Sequence, residues 1–164
     1  MAVVLVPTQG GEAHGGLEVL LIRRAERQDD PWSGHMAFPG GRRDPADADL
    51  LATAVREVAE ETGVVLRAPD LLGELDDVEP KTPALPPIVI RPFLFGLDTR
   101  PAVIPSGEVA GHLWVPLAQL AAAATEEEIV IRGTPRQMRG YRLGENLVWG
   151  LTERIITPLL ELLS

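Results

Sequence analysis

A chain of 164 residues, 45% hydrophobic and 24% charged, is long enough for one well-buried core and too short for two ordinary domains, so a single domain over 1–164 is expected. Its net charge of −9 opposes an electrostatic footprint on duplex nucleic acid, and its lack of cysteine excludes disulfides, thiolate nucleophiles and thiolate metal ligands. The start "MAVVLVPTQGG" carries no basic leader, and the longest mostly apolar run, "LWVPLAQLAAAA", is broken by Pro116 and Gln119 well short of the roughly 20 residues that span a bilayer. A cytoplasmic protein without membrane contact is therefore expected.

In chain order, "AVVLVP" and the alternating "LEVLLIRR" read as two strands joined by the Gly-rich hairpin connection "TQGGEAHGG". "AERQDDPWSGHMAFPGGRRDPADAD" is dense in Gly, Pro and Asp and reads as loop, with at most a short strand at "HMAF". A long irregular segment inside a compact domain is usually functional or disordered. A helix follows over 49–62, with Asp47 or Asp49 as N-cap and Gly63 just past its end. "DLLGELDDV" and "PPIVIRPFLFGL" read as strands around a proline-containing loop, and "GHLWVPL" as a strand leading into a short helix, "LAQLAAAA". "GLTERIITPLLELLS" has helical spacing, with Pro158 as a kink or break. Strands outnumber helices and the two are mixed, so the expected class is α+β, an α/β/α sandwich.

The helix over 49–62 carries "REVAEE". At 100° per residue, with Arg56 at 0°, Glu60 falls at about 40°, Glu57 at about 100° and Glu61 at about 140°, on one face. Leu51, Val55, Val58 and Ala59 fall between about 200° and 300°, an apolar stripe for the core. Carboxylates three and four residues apart repel, and Arg56 to Glu60 has the less favoured order for a helical ion pair. Three such carboxylates suit a hard divalent ion, Mg²⁺ or Mn²⁺. The preceding "FPGG" lets backbone approach a phosphate, because glycine has no Cβ and accepts φ > 0.

"GGRRDPADADLLATAVREVAEETGV" resembles the Nudix box, G-x5-E-x7-R-E-U-x-E-E-x-G-U with U aliphatic. Arg56, Glu57, Val58, Glu60, Glu61, Gly63 and Val64 fit its second half. In the first half Gly41 stands one residue too far from Arg56, and Ala48 occupies the place of the first Glu. That departure is similar to the coenzyme A pyrophosphatase-like subgroup, matched by Phe38, Pro39, Gly40, Gly41, Asp44, Pro45, Asp47, Thr53 and Ala54. "LLIRRAER", "LGELDD", "SGEVAGHLWVPL" and "VWGLTERII" are also similar to segments of that subgroup, so the resemblance runs from about residue 20 to the end. "DPWSGHMA" departs from the subgroup's H-x-G-Q-V-S, with His35 in the Gln place and Ala37 in the Ser place.

The resemblance implies a Nudix fold with a mixed central sheet flanked by helices. It also implies Mg²⁺- or Mn²⁺-dependent hydrolysis of a pyrophosphate bond in a small nucleotide substrate, a nucleoside diphosphate derivative of coenzyme A, ADP-ribose or NADH type. A domain that binds a nucleotide without cleaving it is the alternative. Glu57, Glu60 and Glu61 are the implied metal ligands, and Arg56 their organiser. Glu57 and Glu108, the latter in "PSGEVAG", compete as general base. Arg24, Gly40, Gly41 and Arg42 are the candidate substrate contacts, Arg24 because a guanidinium grips phosphate oxygens in a fork. Asp47 and Asp49 are rivals for the place of the absent first Glu. Trp32 is a candidate to stack on a base or close a homodimer, Trp114 and Trp149 read as core, and His35 as a core or surface residue.

Overall fold

The computed structural model describes residues 1–8, 16–81 and 87–164. Most of the expected hairpin connection and part of the proline-containing loop lie outside them. Strand β1 (Ala2–Pro7) is apolar through Val6 because both its faces are covered. Ala2 and Val4 face one way, together with Leu20, Phe93 and Phe95; Val3 and Leu5 face the other, together with Val19 and Leu21.

The sheet continues with β2 (Leu17–Arg24), β3 (Met36–Ala37), β4 (Leu71–Glu74), β5 (Phe93–Gly96) and β6 (Val109–Pro116). Ile22 pairs with both Ala37 and His112, and Val19 with both Leu5 and Val115, so β6 lines one edge of β2 while β1 and β3 share the other. β1 runs parallel to β5 and every other pair is antiparallel, which makes the sheet mixed.

Helix α1 (Leu50–Thr62) covers the Ala2–Val4 face through Ala54 and Val58. Helix α2 (Leu117–Ala122) and helix α3 (Leu151–Leu163) cover the other face through Leu117, Leu120, Ile155, Ile156 and Leu159. Each of those side chains contributes about 1.5–3 kcal/mol on burial. The α/β/α layering is as expected, as is the short strand at "HMAF". Among the described residues no helix is long and apolar enough to cross a membrane.

Several elements differ from expectation. A second sheet, β7 (Ala124–Ile131), β8 (Thr134–Leu143) and β9 (Asn146–Trp149), is not anticipated by the sequence pattern. One of its two edge strands, β7, reads ATEEEIVI, and three consecutive glutamates disguise a strand as loop. The Ala-rich helix stops at Ala122, because Ala124 and Thr125 pair with Tyr141 and Gly140. Pro158 neither ends nor divides α3; Ile155, Ile156 and Leu159 are buried on either side of it, and that packing outweighs the lost backbone bond. The strands at "DLLGELDDV" and "PPIVIRPFLFGL" shrink to β4 and β5, with one isolated bridge between Val78 and Ile90. Trp114 and Trp149, expected in the core, are only half buried.

Candidate active site

The acidic helix is set down by its two ends. Asp49 is the N-cap, its Oδ1 accepting from Ala52 N at 2.8 Å. At the other end Gly63 takes the left-handed conformation (φ 71°) and donates to Ala59 O. Ile104 N and Ser106 N donate to Thr62 O and Glu61 O, so the loop carrying Glu108 is bonded to the end of α1. The same loop meets the end of β2, where Ala25 N donates to Glu108 O.

The core face of α1 is rotated from the expected stripe. Thr53, Ala54, Val58, Glu61 and Thr62 are buried, while Ala59 is exposed. The three carboxylates are consequently graded along the helix flank. Glu61 is 4% exposed, the Glu57 side chain 14% and the Glu60 side chain 59%.

The "FPGG" segment closes over the buried end of that gradient. Ala2 N donates to Pro39 O, and Gly40 N donates to Glu61 Oε1 at 3.1 Å. A Cβ on Gly40 would lie 2.8 Å from Met1 Cα, and one on Gly41 would fall inside the Glu57 carboxylate. Neither glycine has positive φ, so close approach alone requires them here.

Burial pushes the Glu61 carboxyl up to about 7. The like charges of Glu57 and Glu108 act in the same direction, and the Gly40 N–H and Arg24 oppose them.

Arg56 uses all five of its N–H donors. Nε and Nη2 grip Asp47 Oδ1 and Oδ2, both at 2.9 Å, and Nη2 also reaches Arg42 O at 3.1 Å. Nη1 is shared between Glu57 Oε1 at 3.0 Å and Glu60 Oε2 at 3.1 Å. Asp47 is held well below the usual carboxylate range, first by the Arg56 bonds, then by the Asp44 N–H and the Thr53 hydroxyl. Arg56 is raised in turn, chiefly by Asp47.

The remaining expected residues are placed as follows. Arg24 turns its fork to Asp30 Oδ2, with Nε at 3.1 Å and Nη2 at 2.7 Å. Glu108 is exposed and pairs with Arg27 at 3.3 Å. Arg42 is exposed and supplies its carbonyl to Arg56. His35 packs its ring on Trp149 at 4.9 Å and Asp30 takes the Arg24 fork, so the "DPWSGHMA" loop is anchored at both ends, while Trp32 N donates to Asp30 Oδ1 within it. Asp30 and Arg27 are site-shaping residues that sequence reasoning missed; they match no spacing pattern, and only the Asp-Asp-Pro turn marks Asp30 at all. Thr53, matched in the box, gains its role as a hydrogen-bond donor to Asp47 only in the structure. A groove of 610 Å³ at the start of α1, between Arg43, Asp49, Leu51, Glu74, Arg91 and Phe93, contains none of the three glutamates.

Whether these carboxylates suit a divalent ion is decided by their donor atoms. Among the described residues, Glu57 Oε2, Glu60 Oε1 and Glu61 Oε2 have no hydrogen-bond partner, while the other oxygen of each is engaged. Charged oxygens of this kind match a hard cation, and like-charge repulsion at Glu61 is what such an ion would relieve. The three share a face, as expected, but do not converge on a point. Among the described residues no three carboxylate or imidazole side chains are gathered closely enough to enclose an ion. The donor chemistry fits and the enclosure is incomplete.

The NUDIX domain family model matches residues 1–134, which include the whole of this site. The chain belongs to the Nudix family. As a Nudix domain it is 31% identical over 146 residues to the uncharacterized Nudix hydrolase NudL of Photorhabdus laumondii, covering 87% of this chain and 75% of that protein. It is also 37% identical over 128 residues to an uncharacterized protein of Schizosaccharomyces pombe; the match covers 75% of this chain but spans only 39% of that longer relative. Among solved structures, the NUDIX domain of Shewanella oneidensis NrtR complexed with ADP ribose is 27% identical with a TM-score of 0.57, covering 74% of this chain and 73% of that one. The Caenorhabditis elegans Ap4A hydrolase, 21% identical with a TM-score of 0.55 over 71% of this chain and 77% of its own, shares the fold. The expected Nudix fold and the expected enzyme class, pyrophosphohydrolase, both stand.

Proposed function

We propose that this Nudix domain hydrolyses the pyrophosphate bond of a nucleoside diphosphate derivative, with coenzyme A or a related ester as the first substrate to test. The observation that carries the reading is the set of open carboxylate oxygens on Glu57, Glu60 and Glu61 beside the Gly40–Gly41 backbone. The coenzyme A preference rests on the sequence match at 38–54 and on "LGELDD" and "SGEVAGHLWVPL".

Glu57, Glu60 and Glu61 would hold Mg²⁺ or Mn²⁺, which when bound neutralises a pyrophosphate and acidifies a coordinated water. The chain's own residues do the rest. Arg56 orients Glu57 and Glu60 through charge-assisted hydrogen bonds. Gly40 and Gly41 are the backbone proposed to lie against the substrate's phosphates, beside the Glu57 and Glu61 carboxylates that they already touch, with Arg42 next to them and Arg24 at the end of β2 as phosphate contacts. Water adds to one phosphorus, the bond from that phosphorus to the bridging oxygen breaks, and the water's proton passes to a carboxylate. Glu57 and Glu108 are the two candidates for that acceptor, and both act on Glu61 through space. A solvated helix or loop carboxylate is the plain alternative role for each.

An ADP-ribose or NADH type substrate is the second reading, favoured by the likeness to a NUDIX domain complexed with ADP ribose. The experiment is product release with Mg²⁺ and with Mn²⁺ from coenzyme A, ADP-ribose, NADH and dinucleoside polyphosphates. Turnover of coenzyme A above the others is expected. Turnover of none, with nucleotide binding unchanged in Glu60→Gln and Glu61→Gln, would replace the enzyme by a nucleotide-binding sensor.

A further inference from the structure

The Nudix box normally carries a glutamate where this chain has Ala48. We propose that Asp47, the residue before it, is the positioning residue of the acidic face, acting through Arg56; this rests on the reading of Glu57, Glu60 and Glu61 as metal ligands.

The geometry is specific to Asp47. Its rival Asp49 is spent as N-cap of α1, with Oδ1 on Ala52 N. Asp47 is 9% exposed, and its carboxylate meets Arg56 fork to fork, the arrangement that fixes a guanidinium plane as well as its charge. Asp47 cannot follow Arg56 if that side chain moves. Its Oδ2 also accepts from Asp44 N at 2.9 Å and from the hydroxyl of Thr53 at 2.8 Å, and Thr53 is 2% exposed. The loop and the first turn of α1 thus hold the carboxylate, and the carboxylate holds the guanidinium.

The consequence lies on the far edge of Arg56. With Nε and Nη2 committed to Asp47, only Nη1 reaches the glutamates, and it takes one oxygen from each. The second oxygen of Glu57 and of Glu60 stays open for a cation. Without the charge of Asp47, the Nε–Nη2 edge is released to compete for those open oxygens. Arg56 then changes from organiser to rival of the metal.

The test uses the purified chain with Asp47→Asn, Asp47→Glu and Thr53→Val. Mn²⁺ binding is measured by titration calorimetry without nucleotide, beside thermal unfolding and kcat and KM on the best substrate of the panel. Loss of an outer partner of metal ligands commonly costs about 10- to 100-fold in affinity or activity, so Asp47→Asn is expected to weaken Mn²⁺ and lower kcat by about tenfold or more. KM should change less than kcat, and Asp47→Glu should recover part of the loss. Thr53→Val, which removes only an anchor of Asp47, should weaken Mn²⁺ by about two- to threefold, a fraction of that outer-partner effect. It carries the test if Asp47→Asn does not fold. Lowered thermal stability with Mn²⁺ affinity and kcat unchanged in Asp47→Asn, or unchanged Mn²⁺ affinity in Thr53→Val where Asp47→Asn is unfolded, would overturn the proposal while leaving the ligand reading intact. Unchanged Mn²⁺ affinity in both Glu57→Gln and Glu61→Gln would instead remove the ligand reading, and the proposal with it.

Discussion

At Gly41 the site depends on an absent atom. A Cβ there would occupy the Glu57 carboxylate, so Gly41→Ala must push that side chain off its bond to Arg56 Nη1. Misplacing a reacting group by about 1 Å costs on the order of 100-fold, and Gly41→Ala is expected to lower kcat by about 10- to 100-fold, read by steady-state kinetics. Gly41 has an ordinary φ and is exposed, so the unfolding midpoint should hardly move. A second residue-scale expectation concerns acid. Asp47 has its folded pKa depressed by Arg56, below the unfolded value of about 3.9. Its stabilising contribution is therefore complete above that unfolded value and is lost as pH falls from about 4 toward the folded pKa. Asp47→Asn should be less stable than the parent at pH 7, and the gap should narrow steadily below pH 4 in urea unfolding. A constant gap across that range would show that the pair contributes nothing electrostatic.

At the scale of elements, α1 and α3 illustrate two ways of using a helix. α1 is short of core contacts and rich in caps and side-chain bonds, because its outer flank is committed to Glu57 and Glu60. α3 is held by Ile155, Ile156 and Leu159, and it tolerates Pro158 on its exposed side. A proline inside a helix costs roughly 3 kcal/mol, offset in part by about 1 kcal/mol for the restricted unfolded chain. Pro158→Ala should then stabilise the protein by about 1–2 kcal/mol with unchanged kcat, measured by denaturant unfolding. The second sheet follows a different logic. β7 is one of its two edge strands, and Glu126, Glu127 and Glu128 place charge along it, which discourages pairing with another chain.

At the scale of the whole molecule, the central sheet separates two cores that do different work. Val58 belongs to the core beneath α1, and Ile156 to the core beneath α3. Both are fully buried, and truncation to Ala at such positions costs about 2–5 kcal/mol for Ile and somewhat less for Val. Val58→Ala should also lower kcat at temperatures where the protein is still folded, because it unseats the helix that carries Arg56, Glu57, Glu60 and Glu61. Ile156→Ala should lose stability and keep kcat. Equal effects of the two substitutions on kcat, compared at matched fraction folded, would remove the division of labour between the two cores.

The sequence by itself determined the elements whose signal is local: β1 and β2 from their apolar runs, α1 from its caps and its 3.6-residue spacing, and the acidic face from the order Arg56, Glu57, Glu60, Glu61. It also marked Asp47 and Asp49 as rivals without separating them, since an N-cap and an ion-pair partner call for the same side chain in the same loop. Only the tertiary structure decided that Asp49 caps and Asp47 holds Arg56, because that depends on which carboxylate the loop folds inward against Thr53. The rotation of α1 that buries Glu61 and exposes Ala59, the Arg24 to Asp30 pair and the second sheet were likewise decided by packing. Periodicity reports which side of an element is apolar. It does not report how far that side is turned when a sheet, a loop and a buried charge compete for the same surface.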